Sequence, residues 1–278
     1  MAIGGLILKK PDIRQRSHKV NFGTVKSYPS EGLGRKPLAV YDQEESNFCT
    51  AFSMAGAMSF KLGFPVSPEF MVAVEGEVAG SPIFNGTTMD TAPKALVIFG
   101  ALAQKDCPYS LRNDGAQKIA YWANYPTELW AKARQYLQGG FYTAHEGPYD
   151  AFDNIMAAIY KAKQQGEEIA VQCGTAWYDE FSQAAMTNKP LPIPTNPQVS
   201  EHAWVIFDWV GDTAYALLSE GETWGNNGVL KVPRATVNFL FQNPNATTRV
   251  MRDKDQSTTG LLLSYLYSAL YQLQQLLK

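Results

Sequence analysis

The chain has 278 residues, 45% of them hydrophobic and 18% charged, and its 24 basic and 26 acidic residues give a formal net charge of −2 at pH 7. This composition excludes a disordered chain and indicates a globular protein, either one large domain or two small lobes. The sequence contains no block of Lys and Arg, so electrostatic binding of nucleic acid is excluded from the expected functions.

The cysteine content and the lengths of the apolar runs indicate the cellular environment in which the protein is expected. Cys49, Cys107 and Cys173 are too few and odd in number for a disulfide framework, which favours a reducing environment. The apolar run near the N-terminus is too short for a signal peptide, and no apolar run reaches the roughly 18 residues of a membrane span. We therefore expect a soluble, intracellular protein. No His/Cys/Asp cluster has the spacing of metal ligands, so neither a metal nor an organic cofactor is expected.

The first half of the chain predicts an arm followed by helices. Residues 1–40 are rich in Gly, Lys, Arg and Pro without a sustained period, which indicates an extended arm. Apolar residues then recur at helical spacing from Cys49 up to Gly63, which is typical of a C-terminal cap. Ser67 followed by Pro68 is typical of an N-cap and first helical position, and it predicts the start of a second helix. Further helical patterns cover residues 90–100, 127–138 and 150–165.

Beyond residue 166 the pattern changes to strands. The predicted strands cover residues 168–173, 202–210, 213–219 and 228–232. Gly211 and Asp212 lie between the second and third of these strands and form a hairpin signal. Because helices come first and strands later, we expect an α+β fold with a helical lobe and a β-rich lobe.

The C-terminal part predicts a linker and a last helix. Residues 242–260 are polar and turn-rich, and 261–277 carry a broad stripe of Leu and Tyr. The expected organisation is an arm at 1–40, a main domain at 41–241, a linker at 242–260 and an amphipathic helix at 261–278. The apolar stripe docks either on the body of its own chain or on another chain.

Cys49 lies in the first turn of a predicted helix, where unpaired backbone N–H groups and the helix dipole stabilise a thiolate. A buried core cysteine without chemistry is the alternative for any single Cys. Gln43, six residues upstream on a polar turn, changes this balance. Its amide could donate to the oxygen that becomes negative when a carbonyl is attacked.

His202 is the one histidine that opens a predicted strand. A strand holds its backbone firmly, so the imidazole could serve as a base toward a thiol, although a structural histidine is the alternative. His18 in the arm and His145 in a polar loop are expected to be solvated. A Gly-rich turn containing Trp224 connects the last two predicted strands.

Together these segments resemble the papain (C1) family of cysteine peptidases. The family pattern Gln-x5-Cys-x-Ala-Phe-Ser is met by 43–53, its His-Ala by 202–203 and its Trp-Gly-x-Asn-Gly by 224–228. Residues 85–87 are similar to the glycine segment of the family's substrate cleft. The segments follow the family's order along the chain, and the resemblance spans about 41–241.

The resemblance implies a two-lobe peptidase with the active site in the cleft between a helical and a β-barrel-like lobe. Cys49 would be the nucleophile and His202 its base. The Cys49 backbone N–H and the Gln43 side chain would form the oxyanion hole. The backbone groups that would bind an extended peptide or protein substrate belong to Asn85, Gly86 and Thr87.

Two positions depart from the family pattern. Family members carry an Asn that orients the histidine, whereas here the strand delivers Glu220 to that place, and Glu222 is an alternative because the alignment has a gap there. A carboxylate can hold an imidazole N–H as an amide does. Thr50 replaces the usual Trp beside the nucleophile.

Two functional hypotheses follow. The first is an active cysteine endopeptidase that uses Cys49, His202, Gln43 and Glu220. The second is an inert papain-fold component of a larger assembly, for instance a virus or phage particle, that docks on a partner or on itself through 261–277. A divergent member of viral, phage or bacterial origin is compatible with either hypothesis.

Overall fold

The computed structural model of the protein describes residues 28–81, 83–108, 126–145 and 150–253. Seven helices and six strands are found within these ranges. The helices are α1 (Cys49–Leu62), α2 (Pro68–Ala79), α3 (Thr91–Ile98), α4 (Thr127–Arg134), α5 (Ala151–Gln164), α6 (Asp179–Met186) and α7 (Arg234–Leu240). The strands are β1 (Gly140–Tyr142), β2 (Val171–Trp177), β3 (Ser200–Val210), β4 (Thr213–Leu217), β5 (Val229–Pro233) and β6 (Thr247–Arg252).

The strands form one antiparallel sheet in the order β1-β6-β2-β3-β4-β5. Four helices precede the first strand, and the predicted α+β class is confirmed. The β3–β4 hairpin turns at Gly211 and Asp212, as the sequence predicts. Strand β2 lies farther along the chain than the predicted strand at 168–173.

Helix α1 runs through a buried core, and 12 of its 14 residues are buried. Gly56 allows close approach to the sheet, since a Cβ added there would lie 3.6 Å from the Val205 Cγ2 atom. Gly63 ends the helix in the left-handed conformation with φ +73°, and its N–H donates to the Ser59 carbonyl at 3.0 Å. The helix is therefore held firmly along its length, with Cys49 as its first residue.

Helices pack against both faces of the sheet, and alternate residues of β3 point to these two opposite faces. Val205 and Phe207 of β3 belong to the core cluster that contains α1, α2 and α3. Trp204 and Ile206 of the same strand belong to a second cluster built largely from α5 and the sheet. Strand β3 thus joins the two cores, and it carries His202 near its beginning.

The part of the predicted arm that the structure describes runs along the body of the protein. Residues 28–40 form neither helix nor strand. The backbone N–H groups of Leu33 and Arg35 donate to the Asp208 carboxylate at 2.8 and 2.6 Å. This segment is therefore tied to β3, and residues 1–27, which include His18, lie outside the described residues.

The segment predicted as a linker at 242–260 contains strand β6, and for those residues the structure corrects the prediction. Strand β6 lies inside the sheet between β1 and β2. Its polar residues Thr248 and Arg249 are buried because distant parts of the chain supply their hydrogen-bond partners, among them the Ala144 N–H and the Asp90 carboxylate. Residues 254–278, with the predicted last helix, lie outside the described residues. None of the described helices is both long and apolar enough to cross a membrane.

Candidate active site

Cys49 is the first residue of α1 and is fully buried. The preceding Phe48 offers no side-chain cap, so the first-turn N–H groups of α1 receive no capping hydrogen bond from that position. These groups and the helix dipole favour negative charge at the helix start. The position is suited to an anion formed on the Cys49 sulfur.

Cys49 packs with Met89 and Ala203 in a small cluster of its own. Ala203 is the residue directly after His202, and its backbone acts to lower the pKa of the Cys49 thiol. Burial nevertheless raises the pKa of the Cys49 thiol to about 12, and the nearby carboxyls of Glu75 and Glu220 act in the same direction. In this conformation the thiol is protonated at neutral pH.

His202 is the third residue of β3 and lies opposite Thr175 of β2. Its side chain is fully buried, and neither ring nitrogen has a hydrogen-bond partner within the described part of the chain. The Trp177 ring lies 5.2 Å away, centroid to centroid, at an interplanar angle of 57°. Burial lowers the pKa of His202 to about 4, so the imidazole is neutral at pH 7.

The two pKa shifts have the same cause. Burial disfavours the charged form of each group, so it favours a neutral thiol and a neutral imidazole. Access of water or of a polar substrate would reverse both shifts and bring the two pKa values closer together. In the conformation described here the thiol and the imidazole are both neutral at pH 7.

Gln43 is buried and is held by Ser219, two residues beyond the end of β4. The Gln43 N–H donates to the Ser219 carbonyl at 2.7 Å, and the Ser219 hydroxyl donates to Gln43 Oε1 at 2.5 Å. Gln43 Nε2 donates to the Ser46 carbonyl at 2.9 Å. Because a carbonyl can only accept, these contacts determine the orientation of the amide. One Nε2 hydrogen is used in this bond, and the amide carries a second one.

Glu220 follows Ser219 directly and forms an antiparallel bridge with Asp42, the residue before Gln43. The β3–β4 pairing ends with Val205 opposite Leu217, and His202 and Glu220 each lie three residues beyond that last pair. Burial raises the pKa of the Glu220 carboxyl to about 7, with a further contribution from Asp42. Its Oε1 atom is buried without a hydrogen-bond partner, so Glu220 and His202 are not bonded through that oxygen in this conformation.

Glu222, the alternative to Glu220, is exposed. It lies in the turn that leads to Trp224, beyond the end of β4. Its exposure contrasts with the buried Glu220 oxygen near the Cys49 thiol.

The predicted substrate segment lies next to the start of α1. Asn47, two residues before Cys49, donates from Nδ2 to the Phe84 carbonyl at 3.0 Å. Asn85 is exposed, and Gly86 follows it with φ +80°, a conformation that favours glycine. Thr87 is buried and donates to the Thr91 hydroxyl at 2.8 Å, which ties the segment to α3.

The other histidine in the described residues differs from its prediction. His145 was expected to be solvated, but it is 7% exposed. Its Nδ1 pairs with the Asn154 amide at 3.0 Å, and its ring packs edge-on against Phe241. It belongs to the core beneath α5 and is separate from the Cys49 cluster. No group of three potential metal ligands occurs in the described ranges.

Several residues at the site were missed from the sequence. Met89 packs on the thiol, Trp177 on the imidazole, and Ser219 holds Gln43. Ser219 carries a weak signal, since it ends a predicted strand beside Glu220. Met89 and Trp177 read as ordinary core residues, and their place at the site depends on packing between distant segments.

Solved structures with a similar fold are cysteine proteases. Xylellain, a cysteine protease from Xylella fastidiosa, superposes with a TM-score of 0.68 at 18% identity over 91% of this chain and 96% of its own. Digestive procathepsin L 3 of Tenebrio molitor gives 0.58 at 17% identity over 81% and 72%, respectively. Bromelain from Ananas comosus gives 0.53 at 13% identity over 78% and 94%. No protein-family model matches the sequence, and no curated protein does.

Proposed function

We propose that this chain, whose fold is that of papain-like cysteine proteases, is a cysteine endopeptidase with Cys49 as nucleophile and His202 as its base. The observation that carries the proposal is the packing of Cys49, at the start of α1, against Ala203, the residue after His202. It brings the start of α1 next to β3, the strand that carries His202, 153 positions beyond Cys49 in the sequence. In the conformation described here neither His202 ring nitrogen is hydrogen-bonded to the thiol.

The reaction begins with transfer of the Cys49 proton to His202, which gives a thiolate and an imidazolium. The sulfur attacks the peptide carbonyl carbon, and the resulting oxyanion accepts hydrogen bonds from the Cys49 N–H and Gln43 Nε2. His202 then protonates the leaving amine as the C–N bond breaks, leaving a thioester on Cys49. Water, deprotonated by His202, attacks that thioester and releases the acid and the thiol.

Glu220 is proposed to orient His202 and to stabilise the imidazolium. The supporting observations are that His202 and Glu220 each lie three residues beyond the last β3–β4 pair, that Glu220 Oε1 is buried and unpartnered, and that the carboxyl is near the Cys49 thiol. An imidazolium formed nearby would favour the ionised carboxylate. Glu222 is the weaker candidate because its side chain is exposed.

The substrate is proposed to be an extended stretch of peptide or protein. Asn85, Gly86 and Thr87 border the start of α1 through the Asn47–Phe84 hydrogen bond. The glycine leaves its backbone groups unobstructed by a side chain, which suits pairing with a peptide backbone. The cover over Cys49, to which Met89 contributes, must move before a carbonyl can reach the sulfur.

An epoxysuccinyl peptide inhibitor tests this proposal. We expect a covalent adduct at Cys49, formed much faster than with a free thiol, and its loss in the His202→Ala variant. Cys107 and Cys173 are buried thiols in the same chain and serve as internal controls. Glu220→Ala should slow the modification, whereas Glu222→Ala should not. Reaction at Cys49 no faster than at a free thiol would refute the active peptidase.

The second candidate function is an inert component of a larger assembly. It is favoured by the complete burial of both Cys49 and His202 and by the carboxylate in place of the family's orienting amide. The apolar stripe at 261–277 would then dock on a partner chain. Deleting 258–278 and measuring the size of the protein in solution tests this candidate, and an unchanged oligomeric state with intact thermal stability would argue against it.

A further inference from the structure

Gln172 of β2 and Arg249 of β6 are direct partners in the sheet. Directly opposed residues on antiparallel strands project from the same face. Gln172 is also paired with Val205 of β3, whose side chain belongs to the core around α1. Both polar side chains therefore point from the sheet toward the helical part of the protein, and both are buried, with 0% and 6% exposure.

Gln172 contacts the turn that carries the nucleophile. Its Nε2 donates to the Thr50 carbonyl at 2.9 Å and to the Ser53 hydroxyl at 2.8 Å. The carbonyl can only accept, so this contact orients the amide, and both Nε2 hydrogens are used. Thr50 is the residue after Cys49. Through these contacts the sheet fixes the position of the first turn of α1 along the helix axis and its rotation about that axis.

Arg249 contacts the part of the site that lies next to the predicted substrate segment at 85–87. Its Nε and Nη2 atoms each lie 2.6 Å from Asp90 Oδ1, and its Nη1 donates to the Thr247 hydroxyl and the Thr248 carbonyl. Asp90 is the N-cap residue of α3. It directly follows Met89, which packs on the Cys49 thiol, and lies three residues after the substrate segment. Arg249 therefore ties that segment to the sheet.

We infer that Gln172 and Arg249 are a pair of positioning residues, Gln172 for the Cys49 nucleophile and Arg249 for the peptide-binding segment at 85–87. The inference rests on the proposed peptidase function. Strand β2, which carries Gln172, is adjacent to β3, and β6, which carries Arg249, is adjacent to β2. One rigid sheet therefore holds the start of α1 and the peptide-binding segment relative to His202. Neither residue touches substrate in this role.

The two residues have separable effects if this inference holds. Loss of the Gln172 contacts loosens the first turn of α1, so reaction of Cys49 with a small reagent such as iodoacetamide slows about tenfold or more. Loss of the Arg249–Asp90 ion pair displaces the peptide-binding segment, so KM for a peptide substrate rises about tenfold with a smaller change in kcat. Iodoacetamide needs no peptide-binding segment, so its rate changes little in the Arg249 variant.

The experiment compares Gln172→Met and Arg249→Met with two control variants. Ser59→Ala removes a buried hydroxyl at the far end of α1, where it donates to the Ala55 carbonyl. Arg234→Met removes an arginine that pairs with Asp150, Asp153 and Asp212 away from the Cys49 cluster. For each variant, thermal stability, the iodoacetamide rate at Cys49 as a function of pH, and KM and kcat are measured. If a methionine variant fails to fold, Gln172→Asn or Arg249→Lys replaces it, and Arg249→Lys should also restore part of the KM loss.

Slower alkylation for the Gln172 variant together with a KM effect for the Arg249 variant supports the inference. Control-like kinetics in both variants, or the same uniform loss in all four in proportion to stability, overturns it. Failure of the proposed function is seen separately in the wild-type protein, as an iodoacetamide rate at Cys49 no higher than that of a free thiol and no peptide hydrolysis. That result removes the positioning roles as well.

Discussion

The Glu220 carboxyl provides a quantitative test of the site's electrostatics. Burial and Asp42 raise its pKa from 4.5 to about 7 in the folded protein. Between these pH values the unfolded chain has lost the proton while the folded chain keeps it, so the free energy of unfolding falls as pH rises. At about 1.4 kcal/mol for each pH unit, the ionised carboxylate costs the folded state about 3 kcal/mol above pH 7.

Glu220→Gln removes this cost, because the amide does not titrate. Relative to the wild type, the variant should gain about 2.5 kcal/mol in free energy of unfolding between pH 5 and pH 8. Urea denaturation at several pH values measures the difference, and Glu222→Gln, at an exposed position two residues away, is the matched control. A stability difference that stays constant across this pH range for Glu220→Gln would show that the carboxyl is not desolvated as described.

Three further variants test other parts of the structure. Met89→Ala removes part of the cover over Cys49 and should speed alkylation of the thiol several-fold, as measured by time-resolved mass spectrometry. An unchanged rate would mean that packing of Met89 does not limit access to the thiol. Gly32→Ala puts a Cβ 1.9 Å from the Trp209 carbonyl oxygen at a left-handed residue and should lower the melting temperature by several degrees, whereas unchanged thermal stability would mean that the arm is not packed on β3. Ser219→Ala leaves Gln43 Oε1 without its partner and should lower kcat about tenfold at unchanged KM, less than the loss of a whole oxyanion donor; an unaltered kcat would remove the amide from the mechanism.

The helix boundaries could be predicted because their signals are local. Gly63 adopts the left-handed conformation that glycine accepts most easily, and it ends α1 as predicted. Ser67 accepts the Phe70 N–H at 3.0 Å, which confirms the predicted N-cap of α2. In each case the residue that carries the signal and the atoms that it contacts lie within one turn of helix.

Strand β6 could not be predicted because its environment is supplied from elsewhere in the chain. Thr247–Arg252 has polar residues that suggest a linker. Arg249 can be buried only because Asp90, 159 residues away, provides a carboxylate. Such a pairing leaves no periodic pattern in the sequence around either residue.

At the candidate site, too, local features could be predicted and packing between distant segments could not. Cys49, His202 and Gln43 could be proposed from residue type, spacing and order along the chain. The burial that makes both reactive groups neutral could not, because it depends on Met89 and Trp177. The assignment of their catalytic roles stays a prediction.

The most direct test of the central claim is detection of an acyl-enzyme at Cys49. The protein is mixed with an activated peptide ester and quenched in acid within milliseconds to seconds, and its intact mass and peptide map are recorded. We expect a thioester on Cys49 that forms and decays at the rate of turnover, and that is lost in His202→Ala. Ester or peptide hydrolysis that persists in Cys49→Ala, or no acyl adduct on Cys49 in the wild type, would contradict the account.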